Sequence, residues 1–272
     1  MAVLQDQYKM RKKIIKLLNQ EFKKPITCLT AYSPSIAKIL DGIVDMILIG
    51  DSLGNTLYGM KNSRGVTLDM MKAHGLAVTK NVNKSFTVLD MPYKSYMTKL
   101  AAYKNAKNLL KFTKANMLKL EINKNNLSIV KYLSERKLNI IAHIGVTPQS
   151  FINFNKIKVV GKTQNEIDNL LYLAVNAEKA GAKAILLECI IKDTAKKITS
   201  SISIPTIGIG SSNFCDGQVL VFDDLINLST NDKKPKFVKN YFNFNKIAIN
   251  VVKKYNREVK LKKFPSTKFT YN

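Results

Sequence analysis

Residues 163–189, which read TQNEIDNLLYLAVNAEKAGAKAILLEC, contain a complete helix-to-strand unit. Thr163 followed by Glu166 is the capping-box pattern that begins a helix, and Gly181 is typical of the position where one ends. The apolar run Ala184–Leu187 follows directly. Apolar residues at successive positions, rather than at alternate ones, indicate a strand that is buried on both faces, as in a parallel sheet covered by helices.

The same alternation of short apolar runs and longer amphipathic segments continues along the chain. Runs that predict eight strands are 26–30, 45–49, 86–89, 117–120, 138–142, 184–187, 204–209 and 218–222. Helical patterns cover 7–22, 34–41, 68–82, 98–112, 124–136, 164–181 and 191–200. The alternation predicts an α/β fold, a (β/α)8 TIM barrel, with a doubly wound open sheet as the alternative. No GxGxxG or GxxxxGK[ST] motif follows any of these strands, so a nucleotide-binding fold has no support.

We expect one domain over residues 1–272, with an N-terminal helix at 1–24 and a helical extension with a basic tail at 240–272. No run of 18 apolar residues occurs, so we expect no membrane partner. Three widely separated cysteines and a lysine-rich N-terminus without an apolar signal segment favour a cytoplasmic protein.

The charge of the chain is strongly positive, with 44 Lys and Arg residues against 19 Asp and Glu, a net +25. A nucleic-acid-binding protein is therefore one possible class. However, the cations are nearly all lysines spread along the whole chain, aromatic residues make up 8%, and tryptophan is absent. Nucleic-acid recognition favours arginine and interleaved aromatics. We interpret the charge as a solvated lysine surface and expect no nucleic-acid partner.

Polar side chains occur where the predicted strands end. They are Asp51, Ser52, Asp90, Lys119, Glu121, His143 and Glu188. In a barrel all these strand ends open on one face, where the active sites of this fold lie. Buried carboxylates without partners cost several kcal/mol each, so we expect the group to bind a ligand. A set of two aspartates and a glutamate suits Mg2+, whereas the two histidines, His74 and His143, do not have the spacing of a zinc site.

Longer motifs around these residues follow one another in a recognisable order. They are Gly50-Asp-Ser-Leu-Gly54, Asp90-Met-Pro-Tyr-Lys-Ser-Tyr96, Lys119-Leu-Glu121, His143-Ile-Gly-Val-Thr-Pro-Gln149, Leu187-Glu-Cys189 and Pro205-Thr-Ile-Gly-Ile-Gly210. Together they resemble the ketopantoate hydroxymethyltransferase family. The resemblance is collinear over about residues 25–240.

The resemblance implies a (β/α)8 barrel of the phosphoenolpyruvate-utilising type, a Mg2+ cofactor and a homo-oligomer, commonly a decamer. It also implies transfer of a hydroxymethyl group from 5,10-methylenetetrahydrofolate to 3-methyl-2-oxobutanoate. The product of that reaction is 2-dehydropantoate, a precursor of pantothenate and coenzyme A.

The resemblance also implies roles for individual residues. Metal is bound by Asp51, Asp90 and Glu121; the keto acid is bound by Asp51, Ser52, Asp90 and Lys119; and Glu188 is the catalytic base. We interpret His143 as a residue that orients its neighbours. Three departures from the family pattern are Lys94 in place of Gly, Ser211-Ser212 in place of Ala-Gly, and Phe222-Asp223-Asp224-Leu-Ile in place of His-Asp-Met-Leu-Gly.

A second enzyme class remains open at this point. Another Mg2+-dependent enzyme that forms an enolate on the same barrel, such as a lyase or a carboxylate mutase, would share the acidic site. Such an enzyme would use a cysteine-centred mobile loop or a different acid, and no such group stands out in the sequence.

Overall fold

A computed structural model of the chain describes residues 24–151, 158–228 and 234–271. The helix predicted over 7–22 lies outside these residues. The chain forms two compact units, Met1–Val221 and Phe222–Asn272. No helix in the described ranges is long and apolar enough to cross a bilayer.

Within the described part of the first unit, eight parallel strands close into a barrel in chain order, and the last strand pairs with the first. The strands are β1 (Ile26–Thr30), β2 (Met46–Ile49), β3 (Phe86–Asp90), β4 (Met117–Glu121), β5 (Ile140–Gly145), β6 (Ala184–Glu188), β7 (Thr206–Ile209) and β8 (Gly217–Leu220). The predicted (β/α)8 barrel is therefore confirmed, and the open-sheet alternative is wrong.

Helices follow the strands as the sequence pattern predicts. They are α1 (Pro34–Leu40), α2 (Leu53–Tyr58), α3 (Leu68–Thr79), α4 (Lys99–Thr113), α5 (Leu127–Glu135), α6 (Gln164–Lys179) and α7 (Lys192–Ser201). The capping box that begins α6 is present, with reciprocal bonds between Thr163 and Glu166. Helix α2 was not predicted, because six residues are too few to show a helical period.

Every strand except β1 differs from its predicted range by one to three residues at one end or both, and two of these differences have a clear physical reason. Strand β7 begins at Thr206 rather than at residue 204, because Pro205 has no N–H to donate to the sheet. The last strand ends at Leu220, and Phe222, predicted as its final residue, instead begins a short helix. Acidic Asp223 and Asp224 follow in the first turn of that helix, where negative charge is favourable.

The second unit contains helix α8 (Phe222–Leu225) and helix α9 (Phe244–Lys260). Asn243 caps the start of α9 through its side chain, which accepts a hydrogen bond from the Lys246 N–H. This helix lies inside the segment where the sequence predicts a helical extension.

The barrel interior is organised by the two-residue period of its strands. Apolar side chains at alternate positions form one cluster inside the barrel: Ile26, Cys28, Met46, Leu48, Phe86, Val88, Met117, Ile141, Ala184, Leu186, Ile207 and Val219. Because side chains repeat their direction every second residue, the next inward positions belong to Asp90, Lys119, His143 and Glu188. The apolar core is therefore topped by a polar layer at the carboxyl ends of the strands.

Gly145, the last residue of β5, sets the close approach between β5 and β6. Its φ is +100°, and a Cβ built there would lie 2.3 Å from the Glu188 carbonyl oxygen. We predict that Gly145→Ala lowers the free energy of unfolding by about 2 to 5 kcal/mol, through backbone strain and overpacking. Urea denaturation followed by circular dichroism measures the change.

Gly59→Ala is the matched control for this prediction. Its φ is +62°, and nothing lies within 4 Å of the added Cβ. Only backbone strain applies there, so we expect a loss of about 1 to 2 kcal/mol. Equal losses in the two variants would contradict the steric part of the argument.

Candidate active site

The polar residues singled out in the sequence come together at the carboxyl-terminal mouth of the barrel. Strand pairing places Asp90 beside Lys119, Glu121 beside His143, and Gly145 beside Glu188. Side chains that are at least 90% buried are Asp51, Asp90, Lys119, Glu121 and His143. Ser52 and Glu188 are partly exposed. The cluster is therefore a closed layer with Glu188 at its more open side.

Asp90 is the central carboxylate of the cluster. Its Oδ2 accepts hydrogen bonds from the Asp51 backbone N–H at 2.9 Å and forms an ion pair with Lys119 Nζ at 3.1 Å. Its Oδ1 is buried and has no hydrogen-bond partner among the described residues. Burial raises the pKa of Asp90 to about 7, against the opposing charge of Lys119 and with the help of Asp51. One oxygen of a strongly desolvated carboxylate is therefore available to a ligand.

Lys119 is the cation of the layer. Burial by itself would lower its pKa, but the carboxylates around it, Asp90 foremost, raise that pKa above the ordinary value. The side chain is consequently charged at any physiological pH. Its ammonium also lies 3.4 Å from His143 Nδ1. Among some forty lysines, this one is distinguished by its position inside a barrel strand.

His143 lies between Lys119 and Glu188. Burial, followed by the nearby Lys119 charge, lowers the pKa of His143, so the ring is neutral. Because the ammonium can only donate, the facing Nδ1 is the acceptor and Nε2 carries the proton. That Nε2 lies 3.2 Å from Glu188 Oε2, although the two groups are not aligned as a hydrogen bond. The ring therefore lies next to the predicted base without a hydrogen bond to it.

Gln149 joins the cluster from the 3-10 turn Pro148–Ser150, and sequence reasoning assigned it no role. Its backbone N–H donates to Glu121 Oε1 and Oε2 at 3.0 and 3.2 Å. Its side-chain Nε2 donates to Asp51 Oδ2 at 2.8 Å and to the Met91 carbonyl at 3.0 Å. The Tyr96 hydroxyl donates to Gln149 Oε1 at 2.5 Å. In the sequence, Tyr96 ends the motif that begins at Asp90, and Gln149 ends the motif that begins at His143. Those positions were the signal that could have identified them.

Ser52 also receives support that the sequence did not reveal. Its hydroxyl is 2.7 Å from the Tyr32 hydroxyl, and the Tyr32 carbonyl is 2.7 Å from His74 Nδ1. The other ring nitrogen of His74 lies 2.9 Å from the Tyr58 hydroxyl. His74 therefore belongs to the support of this rim and is separate from the acidic cluster.

Negative charge outweighs positive charge in this layer. Burial, together with the neighbouring Asp51 charge, raises the pKa of Glu121 well above its ordinary value. A divalent cation would relieve this excess, and the unpartnered Asp90 Oδ1 offers it an oxygen. No group of three acidic, histidine or cysteine side chains in the described residues is arranged to hold a metal unaided. Mg2+ usually keeps several water or substrate ligands beside one or two protein carboxylates.

Cys189 follows the predicted base and is a structural residue. It has a φ of +50°, and burial raises its pKa to about 12. The thiol is therefore protonated and unsuited to nucleophilic attack. Ser211, one of the departures from the family pattern, supports the same turn: its hydroxyl donates to the Leu187 carbonyl at 2.8 Å and accepts from the Ile190 N–H at 3.2 Å.

Lys94, another departure, occupies a left-handed backbone conformation in the loop after β3. Its φ is +62°, within a turn closed by a hydrogen bond of 3.0 Å from the Ser95 N–H to the Pro92 carbonyl. The neighbouring Tyr93 ring has the Arg64 guanidinium 4.2 Å from its centroid and the Lys94 ammonium 5.6 Å from it. A residue with a Cβ is strained in this conformation, which glycine adopts freely.

The family model and the similar curated proteins all carry the name of one enzyme family. The sequence model of the ketopantoate hydroxymethyltransferase family matches residues 11–267. The 3-methyl-2-oxobutanoate hydroxymethyltransferase of Pelagibacter ubique is 43% identical over 96% of this chain and 100% of its own length. The protein of the same name from Thermotoga maritima is 41% identical over 94% of this chain and 95% of its own length.

Solved structures that are similar to this chain share its fold at low identity. Phosphonopyruvate hydrolase in complex with oxalate and Mg2+ has a TM-score of 0.59 and 13% identity, covering 95% of this chain and 92% of its own. 2,3-Dimethylmalate lyase, described as a member of the PEP mutase/isocitrate lyase superfamily, has a TM-score of 0.58 and 11% identity, covering 96% of this chain and 91% of its own. At these identities the likeness shows the fold alone, a (β/α)8 barrel.

The strained turn at Lys94 leads to a stability prediction. We expect Lys94→Gly to raise the free energy of unfolding by about 1 kcal/mol, because glycine removes the clash of Cβ in the left-handed region. Urea denaturation measures the change.

Lys94→Ala serves as the control, because alanine keeps the Cβ and loses only the ammonium. We expect this variant to stay within about 0.5 kcal/mol of the unmodified protein. Stabilisation of the same size by alanine would assign the effect to charge rather than to backbone conformation.

Proposed function

Because the chain belongs to the ketopantoate hydroxymethyltransferase family, and is therefore a transferase, we propose that it transfers a hydroxymethyl group to 3-methyl-2-oxobutanoate. The donor in this proposal is 5,10-methylenetetrahydrofolate, and the product is 2-dehydropantoate, on the route to pantothenate. The observation that carries the proposal is the buried acidic layer with one permanent cation and one unpartnered carboxylate oxygen. A divalent cation held by that layer would bind a substrate that has adjacent carboxylate and ketone oxygens.

The chemical difficulty is the removal of a weakly acidic proton from the carbon beside the ketone. Such a step needs an electrophile at the ketone oxygen and a base at the carbon. Mg2+, when bound, supplies Lewis acidity at the ketone. In this proposal Asp51 and Asp90 hold the cation, with Glu121 as the third carboxylate of the set.

Lys119 has the role of binding negative charge on the substrate. It is charged throughout the physiological range and lies on the inner face of β4. An ammonium fixed at this depth stabilises the keto acid carboxylate and the oxygen on which charge develops as the proton leaves. In this proposal Ser52, whose hydroxyl is hydrogen-bonded to that of Tyr32, contacts the same substrate.

Glu188 is the proposed base. It ends β6 at the open side of the cluster, where a substrate carbon can approach, and its carboxylate lies next to the neutral His143 ring. After Glu188 takes the C3 proton, the enolate carbon attacks the one-carbon unit of the folate. For this attack, water adds to the methylene carbon of the folate and both of its carbon–nitrogen bonds break, so that tetrahydrofolate leaves and the one-carbon unit reacts at the oxidation level of formaldehyde. The added oxygen takes the proton from Glu188 and becomes the hydroxyl group of the product.

The competing class is another enolate-forming enzyme on the same barrel. Its members resemble this chain in fold alone, at 11–13% identity. The transferase family matches at about 40% identity over nearly the whole chain. This difference in identity favours the transferase.

Hydrogen exchange tests the role of Glu188 directly. With Mg2+, tetrahydrofolate and 3-methyl-2-oxobutanoate in D2O, we expect loss of the C3 proton signal in the NMR spectrum. Glu188→Gln should slow this exchange by about 100-fold or more while keto acid binding, measured by calorimetry, is retained.

Glu135→Gln, at an exposed carboxylate at the end of α5, is the matched control and should exchange at the unmodified rate. Exchange that persists in Glu188→Gln would remove Glu188 from the role of base. Exchange of oxaloacetate instead of 3-methyl-2-oxobutanoate would favour the competing class.

Metal binding tests the acidic layer. We predict that Asp51→Asn and Asp90→Asn each weaken Mg2+ binding at least about tenfold in calorimetric titrations, since each removes a charged oxygen from the set. Removing Mg2+ with a chelator should stop the exchange reaction, and adding it back should restore the rate.

The control is Asp69→Asn, because the Asp69 side chain is exposed and forms an ion pair with Lys72. We expect its Mg2+ affinity to be unchanged. Equal affinity in all four proteins would rule out the proposed ligands.

A further inference from the structure

Gln149 makes more contacts with the acidic layer than any role assigned so far requires. Through one residue, the loop after β5 reaches both Glu121 and Asp51, whose positions in the chain are far apart. The side chain is 4% exposed, and both ends of its amide are hydrogen-bonded. A buried amide that bridges two carboxylates in this way determines where those carboxylates lie.

The orientation of this amide follows from its partners. The Met91 carbonyl and the Asp51 carboxylate can only accept hydrogen bonds, so the NH2 end must face them. Burial and the charges of Glu121 and Asp51 raise the pKa of Tyr96, so its hydroxyl stays protonated and donates to the amide oxygen. If the amide were reversed, its oxygen would face the Met91 carbonyl and the Asp51 carboxylate, and these oxygens would repel one another.

The hydrogen-bond donors that Gln149 offers to the two carboxylates are uncharged, which suits a site for a cation. Lys119 already forms an ion pair with one oxygen of Asp90, and a second ammonium beside Asp51 or Glu121 would cancel the charge that attracts a divalent cation. An amide and a backbone N–H fix both carboxylates without transferring a proton or adding a charge. The bridge therefore maintains geometry and negative charge together.

We propose that Gln149 is a positioning residue, which fixes Asp51 and Glu121 for a divalent cation, and that Tyr96 orients its amide for this task. The inference rests on the proposed function, because it assumes that the acidic layer binds a cation. Neither residue contacts the reacting atoms. Gln149 contacts the carboxylates, and Tyr96 holds the side chain of Gln149.

The test is Mn2+ binding followed by electron paramagnetic resonance, with 3-methyl-2-oxobutanoate present, on the unmodified protein and four variants. Gln149→Met keeps the length of the side chain and the backbone N–H to Glu121, and removes only the amide. We expect it to weaken Mn2+ binding by about 10- to 100-fold, the usual effect of losing a residue that orients a metal ligand. Tyr96→Phe should weaken binding to a smaller extent.

The double variant decides whether the two residues act together. Because Tyr96 acts through the amide, Gln149→Met combined with Tyr96→Phe should bind Mn2+ no more weakly than Gln149→Met alone. Gln164→Met, at an exposed glutamine in α6, is the control and should bind as the unmodified protein does. The thermal midpoints of the metal-free proteins are measured alongside.

Several outcomes would overturn the inference. Affinity of Gln149→Met within twofold of the unmodified protein would do so, as would tighter binding, which would mean that the amide only occupies the place of the cation. Weakening in proportion to a lowered thermal midpoint would reduce Gln149 to a structural role. If Gln149→Met does not fold, unchanged affinity in Tyr96→Phe overturns the inference, and reduced affinity with an unchanged midpoint supports it. Failure of the unmodified protein to bind Mn2+ would overturn the proposed metal site as well.

Discussion

The concentration of negative charge inside the barrel mouth is the constraint on which the rest of the site depends. Asp51, Asp90 and Glu121 are all buried, and the Lys119 ammonium forms an ion pair with Asp90. Such a layer costs free energy in an empty protein, and the raised pKa values of Asp90 and Glu121 express that cost. A protein retains this kind of unfavourable arrangement where it binds a cation or a charged substrate.

Strand geometry explains why these charges meet. Each inward position on a strand is followed, two residues later, by another, so the apolar core built from Val88, Met117 and Leu186 continues into the polar layer above. The lower layers exclude water and hold the barrel closed. The upper layer is polar because the largely apolar strands β3, β4, β5 and β6 carry one or two charged or histidine residues near their carboxyl ends. Stability and function thus occupy successive layers of one interior.

Backbone conformations of high energy surround the cluster rather than lying within it. Cys189, directly after Glu188, has a φ of +50°, and Lys94, in the loop between Asp90 and Tyr96, has a φ of +62°. Both turns redirect the chain immediately after residues of the site. Ser211 holds the first turn through its bonds to Leu187 and Ile190. Left-handed backbone conformations therefore occur in the loops that leave the cluster, close in the chain to its residues.

The sequence alone determined the order of the barrel elements and the identity of the polar set, because both depend on local periods. The run Ala184–Leu187 and the capping box at Thr163 are readable within a few residues, and Lys119 is conspicuous inside its strand. Only the tertiary structure revealed the bond between Gln149 and Asp51, which are 98 positions apart. It also decided the left-handed turn at Lys94 and the short helix α2. The reason is physical: periodicity reports which face of an element is buried, whereas bonds between loops exist only once the barrel has closed.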